Sequence, residues 1–312
     1  MAIRTSYKIY LIILLMVMAV VLCTLPFVLP TFDEVYVFTK NKIVTSEERG
    51  FINELKKVGY KVYVNKNDVH DKKVAIWFKS LADVRNIMQQ TSFYKNFIYI
   101  EDYYPFNWEN LKDQPIILTP YQELYEHYMR LNIKSATFTL GGNLSEFHPL
   151  GLSKKYDIVY YEQRRDNTLL SEYLRTQNNI YFLGKFWNNG IDNNASSEDI
   201  AKNDNKILSQ AKVVIIDNYE ENKVIPREII NATASGALVI TSHNASIYEI
   251  YGDSIVYYSN YNEIMPLANY YAKMTDVASK KANKAQQITT NKLSSINSVK
   301  RFSELYEWMK EN

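Results

Sequence analysis

Short apolar runs alternate along this chain with stretches in which apolar residues recur every three or four positions. The short runs are rich in β-branched and aromatic residues, which marks strands. They lie at residues 34–39 (EVYVFT), 61–65, 74–78 (VAIWF), 97–102 (FIYIED), 115–120 (PIILTP) and 135–140 (SATFTL). Helical spacing is found at 45–58, 81–90 and 122–131. A segment with three glycines and a proline, GGNLSEFHPLGLSKK at 141–155, interrupts the alternation and reads as a hinge-like loop. A second alternation follows. Its strands are predicted at 156–161 (YDIVYY), 179–184 (NIYFLG), 211–217 (AKVVIID), 237–241 (ALVIT) and 254–259, and its helices at 168–175, 226–235, 246–251 and 262–274. Residues 188–205 are polar and read as a surface loop with a short helix. The tail, 278–312, is helical, with Phe302, Leu305, Tyr306 and Met309 on one face.

Apolar strands separated by helices call for parallel sheets covered on both faces. The predicted fold class is therefore α/β, with two doubly wound domains facing each other across a cleft. The domain bounds are 32–150 for the first and 151–295 for the second, with a C-terminal helix at 296–312 placed to pack back on the first. In such sheets ligands bind outside the carboxyl ends of the strands. The loops after Asp102, Tyr161, Gly184 and Asp217 are the resulting site candidates.

Residues 1–31 stand apart from this pattern. From Ile9 to Pro30 there are 22 residues without a charge, enough for a helix of about 33 Å that matches a bilayer core. This predicts a single-pass membrane anchor with the body close to the bilayer, since the first strand begins at Glu34. Arg4 and Lys8 precede the run, while Asp33 and Glu34 follow it, which favours a cytosolic N-terminus.

Composition narrows the chemistry. The 312 residues are 46% hydrophobic, including 26 Tyr, which is ample for two cores. Lys+Arg number 36 against 34 Asp+Glu, a balance that gives no field for gripping nucleic acid. Cys23 is the only cysteine, so no internal disulfide forms. His70, His127, His148 and His243 are scattered, and there is no Asp-x-Asp motif, so no metal is expected.

The most informative stretch is PREIINATASGALVIT, 226–241. Pro226 suits the first helical position and Gly236 the C-terminal cap. Glu228, Asn231 and Ser235 share one face, while Ile229, Ala232 and Thr233 share another suited to packing on a sheet. A helix start beside Arg227 is a natural seat for phosphate. A plain capped helix, with Glu228 complementing the dipole, satisfies the local pattern equally.

Three blocks resemble the group-1 (family 4-like) glycosyltransferases of GT-B fold, in particular the spore-maturation glycosyltransferase-like subgroup. These are GGNLSEFHPL at 141–150, YDIVYYEQRRDNTLLSEYL at 156–174, and PREIINATASGALVITSHNASIYEIYGDSIVYYSNYNEI at 226–264. The resemblance implies two Rossmann-like domains and transfer of a sugar from a nucleotide-sugar to a glycan or lipid-linked acceptor, with no cofactor. It places the donor in the C-terminal domain, held by Arg164 and Arg165 in the basic loop, Lys185, Arg227, Glu228 and Asn231. Glu101 and Asp102 end a strand of the acceptor domain, where a carboxylate serves as general base if it reaches the acceptor hydroxyl. For the arginine pair a solvated loop is the competing reading, and for the carboxylates a cap or surface pair.

The chain also departs from that pattern. Many relatives carry two glutamates seven residues apart on the donor helix, and the corresponding positions here are Lys223 and Asn231. Glu228, one turn before Asn231 on the same face, is the available substitute. The arrangement also resembles the donor helix of fucosyltransferases, which leaves the sugar open. A catalytically inactive glycan-binding or scaffold protein of the same shape is the alternative.

Overall fold

A computed structural model of the chain describes residues 34–39, 44–66, 74–78, 95–100, 115–162, 169–184, 196–217 and 224–311. Among them the strands form two sheets, parallel throughout. The first has the order β2-β1-β3-β4-β5-β6, from β1 (Glu34–Phe38), β2 (Lys61–Val64), β3 (Val74–Phe78), β4 (Lys95–Tyr99), β5 (Ile116–Thr119) and β6 (Ser135–Thr137). The second has the order β11-β10-β9-β7-β8, from β7 (Tyr156–Tyr161), β8 (Ile180–Leu183), β9 (Ala211–Ile216), β10 (Leu238–Ser242) and β11 (Val256–Tyr258). Each sheet is apolar on both faces. Val35, Val37 and Ile76 pack on one face of the first while Tyr36, Ala75 and Trp77 pack on the other. Such two-sided burial is why these strands read as continuous apolar runs.

Helices cover the faces: α1 (Ser46–Lys57), α2 (Gln122–Arg130), α3 (Leu169–Arg175), α4 (Ser197–Gln210), α5 (Arg227–Ala234), α6 (Ala245–Tyr251), α7 (Tyr261–Lys273), α8 (Thr275–Lys292) and α9 (Ser295–Glu311). The start of α1 is a capping box. Glu48 N donates to Thr45 Oγ1 at 3.3 Å, and Thr45 N donates to Glu48 Oε2 at 2.7 Å. Of the polar stretch 188–205, expected to hold a surface loop and a short helix, the part from 196 on is described. It becomes α4, 14 residues capped by Ser196, because Ala201, Ile207 and Leu208 give it a buried stripe. The tail is helical as expected, in two pieces. It breaks at Leu293–Ser294, where the chain leaves the second lobe.

Two linkers cross between the lobes side by side. Gly142 and Ser294 form a parallel bridge, in which Gly142 N donates to Leu293 O at 2.8 Å and Ser295 N donates to Gly142 O at 2.9 Å. The approach demands glycine. A Cβ on Gly141 would lie 2.4 Å from Ser294 backbone, and one on Gly142 would lie 2.6 Å from Ile230 Cγ2. Beyond the crossing, α9 lies on the first lobe. Val299, Phe302 and Tyr306 join that lobe's core, and the Phe302 ring centroid sits 5.8 Å from Phe51 and 5.1 Å from Phe97.

The apolar segment Ile9–Pro30 lies outside the described residues, as does the predicted helix at 81–90. Among the described residues no helix is long and apolar enough to cross a membrane.

Candidate functional site

In each sheet the chain reverses its direction of growth once. It does so between β1 and β3 in the first lobe and between β7 and β9 in the second. At such switch points the loops diverge and leave a crevice at the carboxyl ends of the strands. The segment after β1 leads into α1, and the segment after β9 leads into α5. These two helix starts meet across the lobes: Arg227 Nη1 lies 3.7 Å from Glu47 Oε2. Val224, just ahead of α5, packs against the first lobe's cluster of Tyr36, Phe38, Trp77 and Ile98.

The opening of α5 is built from its sequence. Pro226 takes the N-cap rather than the first helical turn, with ψ 140, and its carbonyl accepts from Ile229 N at 3.1 Å. Among the described residues no side chain caps this end, which leaves its first donors and the positive end of the helix dipole available. At the far end Gly236 (φ 78) closes a Schellman turn, in which Ala237 N donates to Ala232 O and Gly236 N to Thr233 O, both at 3.1 Å. Ile229, Ala232 and Thr233 are fully buried. Thr233 Oγ1 also meets Tyr251 OH at 3.2 Å and Thr289 Oγ1 at 2.7 Å, tying α5 to α6 and α8. Burial pushes the Tyr251 hydroxyl up to about 12, against the pull of its hydrogen bonds to Thr233 and Thr289.

The predicted site residues divide into three groups. Arg227 is the α5 cation facing the opposite lobe. Glu228 and Asn231 are each only 6% exposed, and neither side chain has a hydrogen-bond partner among the described residues. A carboxylate and an amide left in that condition carry unspent hydrogen-bonding capacity. Ser235, on the same face, belongs to the framework instead, donating to Asn205 Oδ1 and Asn231 O, both at 2.8 Å. Glu101, Asp102, Arg164, Arg165 and Lys185 lie outside the described residues. His148 is exposed on the linker, its backbone held by Asn205 and Ser209.

The structure adds residues that sequence reasoning passed over. Glu47 is nearly buried and supplies the counter-charge to Arg227. Beside it Arg49 holds Glu146 in a two-pronged pair, Nε to Oε1 at 2.6 Å and Nη2 to Oε2 at 2.8 Å, and donates to Ser197 Oγ at 2.5 Å. Burial works against the Arg49 charge, but the Glu146 hydrogen bond and the surrounding carboxylates hold its pKa above the usual value. α1, the first linker and α4 are thereby joined. The signal was present in TSEER. The capping box consumes Thr45 and Glu48, leaving Glu47 and Arg49 as charges the helix start does not need. Among the described residues no three His, Cys, Asp or Glu side chains gather as a metal site.

No protein-family model matches the chain, and no curated protein matches it by sequence. Solved structures do. A glycosyltransferase from Rickettsia africae ESF-5 superposes with a TM-score of 0.61 at 14% identity, covering 90% of this chain and 99% of that one. A DNA-modifying β-glucosyltransferase, solved with and without its substrate uridine diphosphoglucose, gives 0.60 at 16% identity, with 87% and 98% covered. An Anabaena protein, Alr3699/HepE in complex with UDP-glucose, gives 0.54 at 10% identity, with 88% and 99% covered. At these identities the likeness is one of fold: the chain has the two-lobed GT-B architecture, spanned nearly end to end.

Proposed function

We propose that this protein is a glycosyltransferase that moves a sugar from a nucleotide-sugar to a glycan or lipid-linked acceptor. The observation that carries the reading is the start of α5, where Arg227 faces the other lobe while Glu228 and Asn231 are buried with no side-chain partner among the described residues. A nucleoside diphosphate sugar supplies partners for Glu228 and Asn231. Its phosphates match the free N–H groups and Arg227. Its hydroxyls match the Glu228 carboxylate and the Asn231 amide. The fold shared with structures that hold UDP-glucose supports this assignment.

In the reaction the bond between the sugar's anomeric carbon and the diphosphate oxygen breaks, and a bond from that carbon to an acceptor oxygen forms. Negative charge grows on the departing diphosphate, so cations fixed beforehand in the cleft lower the barrier. Arg227 has that role in our reading, together with Arg164, Arg165 and Lys185. The acceptor proton passes to a carboxylate of the first lobe, for which Glu101 and Asp102 are our candidates. The apolar run Ile9–Pro30 is proposed to hold the body at a membrane, near a lipid-linked acceptor.

The test is a titration of the purified protein with nucleoside diphosphates, read by thermal shift, followed by a turnover screen of nucleotide-sugars. One nucleotide should raise the melting temperature, and Arg227→Ala combined with Glu228→Ala should abolish the rise. No shift with any common nucleotide would overturn the proposal. The exchange of glutamate for Asn231 motivates a second reading, a glycan-binding protein without catalysis. It predicts glycan binding and no sugar release from any donor.

A further inference from the structure

Beside the paired linkers a cavity of about 240 Å³ opens between the lobes. Thr137 and Thr139 line it from the end of β6, Lys292 from the end of α8, and Asn297, Ser298 and Arg301 from α9. Two of its neutral polar side chains are already engaged. Ser298 Oγ accepts from Gly141 N at 2.7 Å and donates to Thr139 O at 2.9 Å, while Asn297 Nδ2 donates to Asn291 O at 2.9 Å. Its cations are not. Among the described residues Lys292 has no ion pair, and Arg301 meets Glu304 at 3.5 Å with both side chains about half exposed. A pair that wet holds little energy and yields to a better anion.

The surrounding charge reinforces this. Residues 273–301 carry seven basic side chains against Asp276 alone, a local charge of +6 in a chain whose total is +2. The rest of the chain is therefore at −4, so the molecule is electrically lopsided and attracts anions to this end.

We propose that the cavity is a binding site for a phosphate monoester, separate from the cleft at α5. Two cations without strong partners converge on it, and its volume leaves room for a glycerol- or sugar-sized group behind the phosphate. A ligand there touches residues of both lobes where their angle is set. The inference does not depend on the transferase reading.

Glycerol 3-phosphate is the probe, titrated calorimetrically into the full chain at low salt. One saturable site is expected, with affinity falling about tenfold for each cation removed in Lys292→Ala and Arg301→Ala. Lys280→Ala with Lys284→Ala, on the outward face of α8, should leave binding unchanged, as should Arg227→Ala. Absence of saturable binding, survival of binding in the Lys292/Arg301 double variant, or equal loss in the Lys280/Lys284 control would overturn the proposal. Loss in Arg227→Ala would place the probe in the cleft and overturn it as well. Thermal unfolding checks that the variants are folded. Vesicles with and without phosphatidic acid then separate the sources. Extra binding to phosphatidic acid that requires Lys292 and Arg301 assigns a lipid head group, whereas binding of the soluble ester alone assigns a free phosphate compound.

Discussion

At the scale of single residues, the contact between Arg227 and Glu47 sets a carboxylate beside the cation of the proposed donor site. At 3.7 Å and partly exposed on the arginine side, it is a loose pair, of the kind worth about 1 kcal/mol or less. Replacing Glu47 by Gln removes one carboxylate beside Arg227 and should tighten nucleoside diphosphate binding several-fold, measured by calorimetry at constant ionic strength. An unchanged or weaker affinity would show that Glu47 is not a competitor. Tyr251 makes a second residue-level case. Its folded pKa of about 12 lies above the ordinary 10, so the folded protein keeps a proton that the unfolded chain gives up. Its contribution is thus complete below pH 10 and fades as pH climbs toward 12. Urea unfolding across that range should show stability falling, and Tyr251→Phe should flatten part of the slope. Sequence reading singled out Arg227, Glu228 and Asn231 as candidates because they sit on one short helix with recognisable ends. It missed Glu47 because nothing local relates residue 47 to residue 227. Only the facing switch points bring them together.

At the scale of elements, α5 illustrates how much the chain states outright. Its Pro start, Gly stop and two faces were all legible, and the helix came out one residue shorter at each end than the 226–235 expected. The Schellman turn gives a direct check. Gly236 sits at φ 78 with Pro149 Cγ 3.3 Å from where a Cβ would stand. Gly236→Ala should therefore cost about 1 kcal/mol or somewhat more, seen as a lowered urea midpoint. By contrast the length of α4 was illegible, since only a short helix was expected there. Its sequence, SEDIAKNDNKILSQ, is dominated by residues that favour turns in isolation. Three apolar side chains meeting the second sheet decide the matter, and that packing is tertiary. Strand ends shifted for a similar reason. β6 stops at Thr137, although the apolar pattern runs on to Leu140. There the chain has already turned toward the linker, burying Phe138 and Leu140 in the first lobe's core.

At the scale of the molecule, the first lobe is incomplete without the last helix. Phe302 is fully buried among Phe51, Tyr60 and Phe97. Truncating it to Ala should cost about 3–5 kcal/mol. Calorimetry should show the loss in the transition of the first lobe although the change lies in the last 12 residues of the sequence. Expression of residues 32–150 alone should give an aggregating or unfolded product, since the apolar face beside Phe51 would be open to water. The two-sheet architecture was readable from alternation alone, because each βαβ unit is local. The pairing of Gly142 with Ser294 was not, since no pattern in one segment names its partner 152 residues away.

That pairing has a mechanical outcome. Two covalent strands laid against each other and stitched by backbone hydrogen bonds behave as the spine of a book, with the lobes as its covers. Swinging about the spine leaves the stitches intact, whereas sliding or twisting one cover past the other would tear them. A large guest held between the covers is therefore best admitted by a swing about the spine that widens the opposite edge.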